Sequence, residues 1–500
     1  MVWKASTMVT IATILPSTLG TSVPPSDSNL QVCARIQRAV SSASAVFYPG
    51  SANYIADNAH WVSSSDQPSA CSVEPGTAAD VSIIVRVSAP CFILQLLGST
   101  GTPFGVKGGG HTGNIGFSST TGVQIAMTRF SNVTYNQEAQ TADIGAGMIW
   151  DDVYAALEPH GVIVAGGRVS GVGVAGFTLG GGYNWLTNQV GLTLDTVTAF
   201  ELVTPNGQII SVTAASNPNL FFGLKGGFNN FGIVTKFTLN TFPGGGVIAY
   251  SSDQTEAVQT AVNRFATTNT DPKAQIIAAC NFINGSLQFA NIMFYDGATP
   301  PNGTFDEFLS IPSVSQNLWF RLGRLSRDLG MLNFLLSNLF LNKRYRGSFH
   351  VATVLEFTPT IIAAVVNETT FWGNKLADDG AFLVSYNMEP FLPNLFSHGG
   401  PSAYPPVRNA GYLPIDLDYS WTPTSSDAIF HAALKQSAKH LTGVAVRSGQ
   451  AVALAPLYPN YALPDTPLRR MYGNNVPLLR TITDLVDPNN VMGLTGGWKF

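Results

Sequence analysis

Across residues 68–242, short runs of β-branched and aromatic residues alternate with dense glycine, the texture of brief strands joined by tight loops. The pattern predicts strands over 103–107, 122–126, 141–144, 196–203, 209–213 and 233–239. Apolar residues at helical spacing predict helices over 82–97 and 151–160, the second closed by Gly161, a residue suited to a left-handed C-cap. The texture breaks at Pro243-Gly244-Gly245-Gly246. Beyond it come longer helical patterns, 255–267 and 428–440, set between apolar runs. After Pro456 a polar, aromatic loop leads into an amphipathic stretch over 477–486. These shifts predict an α+β chain in which residues 23–243 and 244–455 form two units and 456–500 return to the first.

Composition narrows the function classes. Of 500 residues 45% are hydrophobic and only 11% charged, with a formal net charge of −4. A chain with so little charge carries no electrostatic footprint for nucleic acid or an anionic membrane surface, and a small, mostly neutral substrate suits it better. Residues 1–22 place Lys4 before a mildly apolar stretch from Met8 to Leu19, the order of a secretory signal peptide, and imply a secreted protein. Sequons at Asn132, Asn284, Asn302 and Asn367 permit glycosylation in that setting. No later apolar run approaches the roughly 20 residues of a membrane span. The four cysteines lack the CxxC spacing of zinc or redox sites. Cys33 can pair with Cys71 or with Cys91, and Cys280 reads as a small buried hydrophobe. His350 and His398 stand alone, so no metal is expected.

Two glycine clusters carry the candidate chemistry: Lys107-Gly108-Gly109-Gly110-His111-Thr112-Gly113, and Gly166-Gly167-Arg168-Val169-Ser170-Gly171-Val172-Gly173, which continues to Gly180-Gly181-Gly182-Tyr183. Glycine lets backbone approach a ligand closely, and successive N–H groups in such loops cradle phosphate oxygens. Neither cluster has the Gly-Lys-Ser/Thr ending of a P-loop or the spaced acidic residue of a nicotinamide-binding fingerprint. A different dinucleotide, held through its pyrophosphate, is the better reading.

These loops, with Gly145-Ala146-Gly147, Asn217-Pro218-Asn219-Leu220-Phe221, Lys225-Gly226-Gly227 and Asn230-Phe231-Gly232-Ile233-Val234, occur in the order that resembles the FAD-binding domain of berberine-bridge-enzyme-like oxidases, within the vanillyl-alcohol-oxidase-type flavoproteins. Tyr458-Pro459-Asn460-Tyr461 and Asp487-Pro488-Asn489-Asn490 are similar to that family's carboxy-terminal motifs. The resemblance implies a two-domain fold with a discontinuous FAD-binding domain and an α+β substrate domain that walls the flavin. It implies cofactor contacts from Lys107, Gly108, Gly109, Gly110, His111, Thr112 and Gly113. Further contacts follow from Gly167, Val169, Ser170 and Gly173, then from Gly181, Gly182, Tyr183 and Asn184, with Ile233 near the adenine end and Asn460 in the carboxy-terminal motif. It also implies a covalent bond from His111 to the flavin. Many family members add a second bond from a cysteine, and Val169 stands at the aligned position, so attachment through His111 alone is expected, with a lower flavin potential and a differently shaped opening beside the ring.

For the reaction, Tyr461 is the expected proton acceptor, with Tyr458 as its neighbour; an ordinary phenol, with a pKa near 10, needs a positive or hydrogen-bonded partner to act as a base. Glu389, Asp416 and Asp418 are less specific candidates, because a carboxylate more often lies on the solvated surface. The apolarity of residues 350–395 points to an oxidase of a small natural-product intermediate, with oxygen as electron acceptor and hydrogen peroxide as product. A carbohydrate oxidase, and a flavin-retaining cyclase or isomerase without net redox turnover, are the alternatives.

Overall fold

A computed structural model describes residues 27–85, 97–242, 246–250, 254–283, 285–297, 300–312, 315–317 and 345–500. The expected α+β architecture is present as three sheets. The first joins β1 (Ala45–Phe47), β2 (Cys71–Glu74), β3 (Phe104–Lys107) and β4 (Val123–Ala126) in the order β1-β2-β4-β3, with β4 parallel to both β2 and β3. Its central strands are buried on both faces, and the polar residues among them are satisfied inside: Ser72 donates to Asp57, and the Gln124 amide donates to the Ser118 carbonyl.

The second sheet is antiparallel. It orders β5 (Val133–Asn136), β6 (Thr141–Gly145), β10 (Ile233–Phe242), β8 (Val197–Val203) and β9 (Ile209–Val212), with β7 (Ile163–Val164) pairing the end of β10. The third sheet gathers β11 (Gly246–Tyr250), β12 (Ala274–Ile283), β13 (Ser286–Tyr295), β14 (Ser315–Asn317), β15 (Arg346–Val354), β16 (Ala381–Met388) and β17 (Leu413–Trp421) in the order β14-β11-β13-β12-β16-β17-β15. Helices Pro359–Lys375 and Asp427–Arg447 pack on one face of it. Its other face looks toward the glycine loops.

Local signals account for most boundaries. Helix Trp150–Leu157 buries Trp150, Val153, Tyr154 and Leu157, one stripe at helical spacing, and after a further turn Gly161 takes the left-handed φ of 69°. Helix Val476–Val486 buries Val476, Leu479 and Ile482 in the same manner. Two expectations shift. The helix expected over 82–97 begins at Ala78, because the Thr77 hydroxyl caps the Asp80 amide and Asp80 bonds back to Thr77 and to Ser41; residues 86–96 lie outside the described part. The helix expected over 428–440 runs on to Arg447, because Leu441 and Ala445 continue its buried stripe across Gly443.

The carboxy-terminal residues pack against the first sheets. Thr495 bridges Phe104, Asn230 donates to the Trp498 carbonyl at 3.0 Å, and Asn114 donates to the Ala462 carbonyl at 3.0 Å. Cys33 is bonded to Cys71, tying the helix Asp27–Ala39 to β2. The alternative partner, Cys91, lies outside the described residues. No described helix is long and apolar enough to cross a membrane, and no described group of three or more His, Cys, Asp or Glu could hold a metal ion.

Candidate active site

A cavity of about 430 Å³ runs between the glycine loops and the open face of the third sheet. Its floor comes from β3 and the turn after it, where Gly108, Gly109, Gly110, His111 and Thr112 line the space. The second glycine loop meets the first backbone to backbone: a Cβ on Gly109 would stand 2.6 Å from the Gly173 Cα, and one on Gly173 would stand 2.4 Å from the Gly109 amide nitrogen. Only glycine permits that approach. Gly110, with φ of 71°, turns the chain so that His111 faces inward.

His111 is half-buried, its Nε2 is buried without a hydrogen-bond partner, and its ring stacks on Trp61 at 4.7 Å with 19° between planes. Burial in apolar surroundings pushes its pKa down to about 4, so the imidazole is neutral near pH 7 and keeps a lone pair. Trp61 is itself held by its amide, which donates to the Gly110 carbonyl at 3.0 Å. An imidazole that faces inward with Nε2 unpartnered, beside a glycine cradle, fits the flavin end of a dinucleotide. At the far end Phe117, Phe228, Gly232, Ile233 and Trp498 line the cavity, and the Trp498 indole nitrogen is buried there without a partner. Both ends therefore offer atoms that a bound FAD would satisfy.

Other residues carried over by resemblance stand behind this surface. The Lys107 ammonium turns away to the Ala56 and Asp57 carbonyls, at 2.8 and 3.2 Å, so it anchors the loop rather than facing a phosphate. Gly167 leaves room for the Trp150 ring, and Ser170 bonds to Asp151. Gly113 does the same for the Gly347 carbonyl of β15. Gly181, Gly182, Tyr183 and Asn184 form a second layer: Gly182 donates to the Tyr458 hydroxyl at 2.8 Å, Tyr183 packs on Phe391, and the Asn184 amide bonds to the Gly191 carbonyl. Val169 and Asn460 do line the cavity.

The two tyrosines separate in role. Tyr458 is buried, donates nothing toward the cavity, and accepts from Gly182 and from Asn460 at 2.8 Å, so it is a pillar rather than a reacting group. Tyr461 faces the cavity and its hydroxyl donates to Glu389 at 2.9 Å. Burial, reinforced by the Glu389 charge, holds the Tyr461 phenol well above its ordinary range, against the opposing pull of Arg168. The phenol thus stays protonated, and the hydrogen-bonded and positive partners that a Tyr461 base was expected to need are Glu389 and Arg168. Arg168 completes the group with an ion pair to Glu389 at 2.7 Å and a hydrogen bond to the Tyr461 hydroxyl at 3.3 Å. Its guanidinium is wedged 5.7 and 5.6 Å from the Trp185 and Phe391 ring centres. Arg168 sat in the sequence as the lone cation of a glycine loop, and that isolation was the available signal.

Glu389, Asp416 and Asp418 are not solvated surface groups. Strand alternation turns Asn281 of β12, Leu383, Ser385 and Asn387 of β16, and Asp416, Asp418 and Ser420 of β17 into the cavity, with Glu389 just past the end of β16. Register places Asn281 opposite Ser385, Ser385 opposite Asp418, and Asp418 opposite Phe349. The next row holds Asn387 opposite Asp416, joined by a bond of 3.2 Å. Much of the apolarity of residues 350–395 goes instead into the core, where Val354, Ile361, Ile362 and Val365 are fully buried.

Burial pushes the Asp418 carboxyl up to about 7, and Asp416 rises well above its ordinary value through burial and the neighbouring Asp418 and Glu389 charges. Since the folded state holds this Asp418 proton more tightly than the unfolded chain does, its stabilising effect is present at pH 4 and lost as pH rises through about 7. Asp418→Asn should therefore melt about 3 °C or more above the parent at pH 8, with the gap closing toward pH 4. Parallel melting curves at the two pH values would remove the argument.

Residues 69–213 match the FAD binding domain family. The chain is 32% identical over 382 residues to an FAD-linked oxidoreductase of Arthroderma benhamiae, covering 73% of each chain. It is 29% identical over 448 residues to the FAD-dependent monooxygenase drtC of Aspergillus calidoustus, covering 86% of this chain and 83% of that one. Its fold is similar to that of the BBE-like 1 protein of Physcomitrella patens, with a TM-score of 0.70 at 21% identity over 92% of this chain and 97% of that one. It is similar also to a berberine bridge enzyme variant in complex with (S)-reticuline, with a TM-score of 0.72 at 14% identity over 95% and 99%.

Proposed function

The chain belongs to the berberine-bridge-enzyme-like FAD-linked oxidoreductases, and from that premise we propose that it is an oxidase of an alcohol or amine group on a small, largely apolar natural-product intermediate. The observation that carries the reading is the Arg168, Glu389 and Tyr461 constellation at the cavity wall, opposite His111. FAD, when bound, supplies a two-electron acceptor that molecular oxygen regenerates, with hydrogen peroxide as product. The protein's own residues handle the proton. A substrate O–H or N–H placed at Tyr461 passes its proton to the phenolic oxygen as that oxygen gives its own to Glu389 Oε1, 2.9 Å away. Arg168 holds both partners in line.

The inward, neutral imidazole of His111 supports covalent retention of the flavin through that residue. Single attachment is supported by Val169 on the cavity wall, and among the described residues no thiol lines the cavity: Cys33 and Cys71 are joined, while Cys280 faces Thr369 on the helical side of β12. The Cys33–Cys71 disulfide and the exposed sequon residues Asn132, Asn302 and Asn367 support a secretory route. Incubation with a panel of aromatic and alicyclic alcohols and amines, with peroxide detection and product mass, tests the activity. Turnover without peroxide, or conversion with no change in oxidation level, would favour an isomerase or cyclase.

Trp61 positions the histidine in this scheme. Trp61→Leu should cut the acid-stable flavin fraction at least about threefold, the cost of losing one aromatic stack, while Trp61→Phe should restore most of it. Flavin absorbance of acid-precipitated protein reads this directly, and a Trp61→Leu pellet as yellow as the parent's would leave Trp61 a mere packing residue.

A further inference from the structure

The cavity wall carries more carboxyl groups than cations. Glu389 is matched by Arg168, the sole Lys or Arg among the described residues that line the space, while Asp416 and Asp418 face the same space with no cation against them. Asp416 is buried with Oδ1 unpartnered, and its other oxygen receives a single bond from Asn387. Buried carboxyl groups without partners cost stability and persist where a ligand completes them. Around them the wall is of two kinds. Ile277, Ile283, Ile292 and Leu383 form apolar flanks, whereas Phe349 of β15 lies directly opposite Asp418 of β17 and its ring centre is 6.5 Å from that of Tyr461.

Resting on the oxidase reading above, we propose that the substrate carries a basic nitrogen, bound as its cation between Asp416 and Asp418 and against the Phe349 and Tyr461 rings. A protonated nitrogen placed beside the unpartnered Asp416 Oδ1 is matched by one carboxyl of the pair giving up its proton, whereas a neutral hydroxyl draws neither into its charged form. Aromatic faces favour a cation over water for the same electrostatic reason. The apolar flanks leave the rest of the ligand to be hydrocarbon, so the wall selects an amphiphile with one charged nitrogen rather than a molecule hydroxylated all round.

Calorimetric titration of the flavin-loaded protein at pH 7.5 with 4-phenylbutylamine and its neutral isostere 4-phenylbutan-1-ol separates the cases. The amine should bind at least about tenfold tighter. Asp418→Asn and Asp416→Asn should each reduce that preference severalfold, with circular dichroism confirming that the variants are folded. Equal affinity for the alcohol, no amine binding at millimolar concentration, or an undiminished preference in folded Asp418→Asn would each overturn the proposal. The parent protein alone decides the first two outcomes. Because titration needs no turnover, an amine preference without peroxide formation would count against the oxidase reading and leave the nitrogen site standing.

Discussion

Glu389→Gln is expected to slow single-turnover reduction of the bound flavin by about 10²- to 10⁴-fold, the range a positioned proton acceptor contributes, while substrate binding changes little. The isosteric amide keeps the hydrogen bond from Tyr461 but cannot take its proton, and it leaves the Arg168 charge without a counterion. Tyr461→Phe should fall within the same range, since it removes the hydroxyl that donates to Glu389. The double variant should then be no slower than the worse single one, because both act on one proton route. Additive losses would show two independent groups, and reduction within threefold of the parent in Glu389→Gln would move the acceptor elsewhere, with Asp418 the next to test.

His111→Ala carries the other large effect. The parent should retain its flavin through acid precipitation, and the variant should release all of it to the supernatant, because no described thiol lines the cavity to hold it in place of His111. Peptide mass analysis should place the adduct on the His111 peptide and find the Val169 peptide unmodified. Flavin wholly in the parent's supernatant would sink covalent attachment without touching FAD binding. An adduct on a cysteine peptide would instead show that the second glycine loop is misaligned.

What could be read from the chain and what could not divide along a physical line. Glycine-specific backbone and helix caps are local properties, so the loops at Gly108–Gly110 and Gly166–Gly173, the inward candidate His111 and the end of the helix at Gly161 were legible in sequence. Side-chain direction along a strand was half legible. The alternation in Leu383, Ser385, Asn387 and Glu389, and in Asp416, Asp418 and Ser420, is written in the chain, but a period of two does not say which face meets water. Burial of the opposite face by helices Pro359–Lys375 and Asp427–Arg447 decides it, and so turns three ordinary carboxylates into pocket groups.

By itself the sequence determined an α+β fold with an FAD-binding domain, and it marked the two glycine loops, His111 and Tyr461 as candidates. Only the tertiary structure chose Cys71 over Cys91 as the described partner of Cys33, sent Tyr458 to the second layer, and brought Arg168 to Tyr461 across 293 residues and Glu389 to Tyr461 across 72. Those choices depend on desolvation and charge pairing between segments far apart in the chain, and neither exists until the sheets have packed.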